Sequence, residues 1–101
     1  MTTLCAFHDF YDMPAPRWIT QLDPCKMIEL ICLWNWLVRQ CPAPSYAVEY
    51  LARHTGVSAQ RLHEARQVRN SCAHPYEVAH LPAHRLDKAL ATALQAVQAL
   101  T

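Results

Sequence analysis

The sequence predicts an all-α fold, a small bundle of four to five helices. Three observations carry that prediction. The chain has a single glycine, Gly56, against seven prolines, the usage expected of helices joined by proline-marked turns. Apolar residues recur at three- and four-residue spacing, most cleanly in Leu86, Leu90, Ala93, Leu94, Val97 and Leu100. No segment alternates apolar and polar residues as a half-buried strand would. At 101 residues there is material for one core and little else.

Residues 1–22 are mixed and aromatic, with Pro14 and Pro16, and read as an N-terminal arm or a short helix. Residues 23–101 form the helical domain. Asp23-Pro24 is a helix start, an N-cap carboxylate followed by proline at the first helical position. From there to Gln40 the chain is apolar nearly all round. Met27, Leu30, Ile31, Trp34, Leu37 and Val38 make one stripe, and Ile28, Leu33 and Trp36 widen it. Such a helix needs cover on more than one side, and in so small a domain a second copy is the natural cover. Cys41-Pro42-Ala43-Pro44 ends it.

A shorter helix is expected from Ser45 to His54, with Tyr46, Tyr50 and Leu51 inward and Gly56 as its C-cap. Ser58 can cap the next, which should run to about Ala73 with Leu62, Ala65, Val68 and Cys72 in the core. Pro75 disfavours helical geometry at His74, so the helix should stop there. A loop through Pro82 then leads to the last helix.

Composition narrows the class. An apolar share of 52% is too high for disorder. The longest apolar stretch, Met27 to Val38, is about twelve residues and contains Glu29 and Asn35, whereas a spanning helix needs roughly twenty. No basic segment precedes an early apolar run, so no signal peptide and no membrane association are expected, and the chain reads as cytoplasmic. Cys5, Cys25, Cys32, Cys41 and Cys72 are odd in number and include no C-x-x-C pair. Reduced, buried thiols are therefore expected. Residues 1–50 carry three basic and five acidic side chains, and residues 51–101 carry six and three. The second half, with Arg53, Arg61, Arg66 and Arg69 close together, offers a modest basic surface for a phosphate-bearing partner.

The run Arg69-Asn70-Ser71-Cys72-Ala73-His74-Pro75-Tyr76 carries the chemistry. Cleaving RNA through its 2′-hydroxyl requires removing that proton, stabilising charge on the phosphate and protonating the leaving 5′-oxygen. An imidazole can act as base or, once protonated, as acid. A guanidinium stays charged and can meet a phosphate with two parallel hydrogen bonds. Arg69 and His74 at the rim of one helix end could share a phosphate, with Arg61 and Arg66 extending a phosphate-binding surface. One copy holds one histidine here, while acid and base are two roles. Two copies would supply both.

Arg-Asn-x-x-Ala-His-Pro at a helix end, followed by a loop and a long amphipathic helix, resembles the HEPN superfamily (higher eukaryotes and prokaryotes nucleotide-binding). The resemblance covers residues 24–100, and its hallmark is arginine, four to six residues, then histidine. It implies a homodimeric, metal-independent endoribonuclease needing no cofactor, with Arg69 and His74 catalytic and Asn70 supporting the pocket. It also implies a toxin or anti-phage defence effector, with a cognate antitoxin or other effector subunit as a partner. Tyr76 completes an arginine-x4-histidine-x-tyrosine pattern, in which relatives carry AMP on the tyrosine. A catalytically silent HEPN-like nucleotide-binding or assembly module is the alternative within the same fold.

Residues 51–66 also resemble a helix-turn-helix, with Ser58 to Arg66 as recognition helix and Gln60, Arg61 and His63 near base edges. Low overall charge speaks against DNA binding. His80 and His84 are four apart, yet Pro82 between them breaks the helix that would align them on a metal, so no metal site is expected. Trp34 and Trp36 read as core or interface rather than as a base-stacking platform, and Trp18 in the arm stays open.

Overall fold

The computed structural model describes residues 22–78 and 80–101, except the side chains of Pro75 and Tyr76. The predicted arm, with Trp18 and Cys5, lies outside the described residues apart from Leu22. The all-α expectation holds, and no strand occurs among the described residues. Helix α1 spans Pro24–Arg39 and is followed by a 3-10 turn, Pro44–Tyr46. Helix α2 is Ala47–Thr55, α3 is Ala59–Cys72, the one-turn α4 is Pro75–Val78, and α5 is Ala83–Leu100. α5 packs along both α1 and α3, and α3 also meets α1, so the three long helices enclose one core. α2 and α4 pack chiefly on α3. No described helix is long and apolar enough to cross a membrane.

The helix boundaries follow from local chemistry. Asp23 Oδ1 accepts the Cys25 backbone N–H at 2.9 Å, and Pro24 fills the first helical position. Gly56 closes α2 with φ of +76°, a left-handed conformation that a side chain resists. Ser58 Oγ accepts the Arg61 N–H at 3.2 Å and starts α3. α3 stops at Cys72, as Pro75 requires. Pro75 does more than end a helix. It opens α4 within the stretch expected to be loop, because proline suits a first turn that lacks a use for its N–H. α4 and its exit place Val78 and Leu81 in the core.

Met27, Leu30, Trp34 and Leu37 of α1 are buried, as are all four expected core residues of α3. Three expectations fail. Tyr46 is 66% exposed rather than inward, because the 3-10 turn hands the core-facing positions to Ala47 and Leu51; Tyr50 is half-buried. On α5, Leu94 lies at 37% exposure while Ala89, Thr92 and Ala96 are buried, since α1 and α3 press on that helix from two sides and widen its buried arc toward the alanines. The cysteines are not uniformly buried. Cys72 is, Cys41 is half-buried, and Cys25 and Cys32 are exposed on a side of α1 that no described residue covers. Ile28 at 37% and Trp36 at 36% lie open on that helix too.

Candidate active site

Arg69 lies in the last turn of α3, half-exposed. Its Nη2 donates to Asn35 Oδ1 at 3.1 Å, and its Nη1 to Asn70 Oδ1 at 3.4 Å. Asn35 belongs to α1, thirty-four residues away, so two helices fix one guanidinium. Both partners are neutral amide oxygens, and no carboxylate pairs with Arg69 among the described residues. Among the described residues the positive charge is therefore held in place by neutral groups and paired with no carboxylate. A guanidinium has five donor hydrogens, and these contacts occupy two. The Nε–H is buried with no acceptor among the described residues, so only the Nη hydrogens can reach a ligand. Cys72 lies beneath. Burial pushes its thiol up to about 11, although the Arg69 charge pulls the other way.

His74 follows the helix end and is exposed. Its backbone N–H donates to Ser71 O at 3.1 Å, and its carbonyl accepts from Val78 N at 3.1 Å. The backbone is pinned on both sides while the ring stays open to solvent, and no described residue hydrogen-bonds it. Asn70, the supporting residue expected from the sequence, is exposed and touches Arg69 as described. Tyr76 is the second residue of α4, and its side chain lies outside those described.

The remaining arginines divide. Arg66 is three residues before Arg69 and shares its side of α3. Its Nη2 lies 3.1 Å from His63 Nδ1; a guanidinium only donates, so that ring nitrogen accepts. Arg61 is turned away from them. Its Nη1 donates to Gln95 Oε1 at 3.0 Å and its Nη2 to Thr92 Oγ1 at 3.3 Å, tying α3 to α5. The cleft there, between Arg61, Glu64, Arg85, Lys88 and Thr92, holds about 20 Å³, room for a water and no more. Arg61 thus spends two of its donors tying α3 to α5, whereas Arg66 and Arg69 make no bond to α5. Among the described residues no three His, Cys, Asp or Glu side chains gather as metal ligands would.

The residue that sequence reasoning missed is Asn35. Its signal was present, because it is one of two strongly polar residues inside the apolar stretch Met27–Val38. Its partner could not be read from the sequence, because the contact depends on how α1 crosses α3. No protein-family model matches this sequence, and no curated protein or solved structure matches it either. What defines the chain is thus a small all-α bundle in which, among the described residues, an arginine without a carboxylate partner and an exposed histidine lie at one helix end.

Proposed function

We propose that the chain is a HEPN-like, metal-independent endoribonuclease acting as a homodimer in the cytoplasm, in the role of a toxin or anti-phage defence effector. One observation carries this reading: Arg69 is held by Asn35 and Asn70 with no carboxylate partner among the described residues, five residues before the exposed His74. The motif resemblance supplies the chemistry. A neutral His74 takes the proton of the 2′-hydroxyl as O2′ attacks phosphorus. The P–O5′ bond breaks, and a protonated His74 from a second copy delivers its proton to the leaving oxygen. Arg69 meets the charge that builds on the non-bridging oxygens. The products are a 2′,3′-cyclic phosphate and a free 5′-hydroxyl.

The position of Asn35 favours a composite site. Its neighbour Trp36 is open, as are Ile28 and Cys32 on the same helix, so the apolar side of α1 begins beside the residue that holds Arg69. A second copy seated there brings a second Arg69–His74 pair to the first. Within this reading Tyr76 is the position at which a cognate antitoxin would attach AMP.

Incubation with single-stranded RNA in EDTA tests the proposal. Fragments ending in 2′,3′-cyclic phosphate are expected, and both Arg69→Ala and His74→Ala should abolish them. A folded dimer that cleaves no RNA would instead support a silent binding module. Salt-sensitive, sequence-selective binding of DNA fragments that ignores His74→Ala would support the helix-turn-helix reading.

A further inference from the structure

Tyr46, Tyr50 and His54 recur at four-residue intervals along the 3-10 turn and α2, which places them on one side. The core side of α2 is taken by Ala47 and Leu51; Tyr50 packs against the edge of that core, while Tyr46 and His54 are exposed. The Tyr50 and His54 rings lie 4.2 Å apart between centroids, tilted by 34°. With Glu49 and Arg53 they line an open groove of about 220 Å³. Pockets for drug-sized ligands begin near roughly 300 Å³, so this groove suits one flat ring system. Glu49 and Arg53 are four residues apart and opposite in charge, yet neither is ion-paired among the described residues. Both charges are left for a ligand.

The three features fit three parts of one nucleotide. Aromatic faces take an unpaired base by stacking. Arg53 takes a phosphate. Glu49 only accepts hydrogen bonds at neutral pH, so it selects for a base edge rich in donors. Guanine offers an N1–H and an N2 amino group side by side, where adenine offers one amino group and cytosine another. We infer that the groove on α2 is a nucleotide subsite that stacks one unpaired purine, guanine before adenine, with Arg53 on its phosphate. This deepens the ribonuclease reading and rests on it for RNA as the natural substrate; the groove uses neither Arg69 nor His74.

The test is a titration of the full chain, its tyrosine rings isotope-labelled, with GMP, AMP and CMP up to about 10 mM, which reaches Kd values in the millimolar range. Tyr46→Phe and Tyr50→Phe identify the two ring signals. Both should move on adding GMP, and affinity should fall from GMP to AMP to CMP. Tyr46→Ala should weaken GMP about tenfold. Glu49→Gln should remove the preference for GMP over AMP and leave AMP binding unchanged. Tyr46 and Glu49 are exposed and Tyr50→Phe keeps the half-buried ring, and an unchanged melting temperature confirms that each variant folds. Tyrosine rings unmoved by every nucleotide, or GMP binding indifferent to Tyr46→Ala, would overturn the inference. The titration involves no cleavage, so the two readings fail separately. GMP at the rings without RNA cleavage counts against the ribonuclease alone, and cleavage without ring shifts counts against the groove alone.

Discussion

An arginine serves a phosphate only if something holds it and nothing neutralises it. Among the described residues Arg69 meets both conditions through two amide oxygens, one from its own helix and one from α1. Removing the remote anchor should loosen the guanidinium without emptying the core, since Asn35 is exposed. Asn35→Ala is accordingly expected to lower kcat about ten- to a hundredfold with KM little changed, and to leave the melting temperature intact. Asn35→Asp should also lower kcat, here by neutralising the charge. The cysteines separate by environment as well. In the dissociated monomer Cys25 and Cys32 should react quickly with a thiol reagent, Cys32 should slow in the dimer, and Cys72 should react only on unfolding. Burial raises the Cys72 thiol from 9.0 to about 11. The folded state therefore prefers the protonated thiol. Its contribution is complete below pH 9 and is lost as pH rises through about 11. Denaturant titrations should show stability falling by on the order of 1–2 kcal/mol across that window, and the fall should be smaller in Cys72→Ala.

The helix starts and stops were legible in the sequence because each is set by a few adjacent residues. Asp23-Pro24, Gly56 and Ser58 do at their positions what their chemistry requires, whatever the rest of the chain does. Gly56 offers a direct check. A Cβ placed there meets nothing within 4 Å, so Gly56→Ala isolates the cost of a left-handed backbone. Stability should fall by about 1 kcal/mol, a few degrees in Tm. What depends on more than neighbours was not legible. A single 3-10 turn rotated Tyr46 out of the core, and proline at Pro75 both stopped one helix and opened another. The buried face of α5 depends on where two other helices lie, so Leu94 and Ala96 exchanged roles. The candidate site divides the same way. Arg69, Asn70 and His74 stand in one short run and could be found, whereas Asn35 reaches them only through the packing of α1 on α3.

At the scale of the whole molecule, the described residues cover α1 on the inner side and leave Ile28, Cys32 and Trp36 open on the other. Exposed apolar residues on the helix that anchors Arg69 give the proposed dimer a contact, and the proposed acid–base pair gives it a purpose. Trp36 is partly open, so Trp36→Glu should leave the fold intact. It should yield a monomer by light scattering that no longer cleaves RNA. The most direct test needs no substitution. Specific activity per protomer and molecular mass are measured together over a dilution series of the unaltered protein. A site built from two copies requires activity per protomer to fall in step with the dimer fraction and to vanish in the monomer. Activity per protomer that stays constant while the mass halves would contradict it.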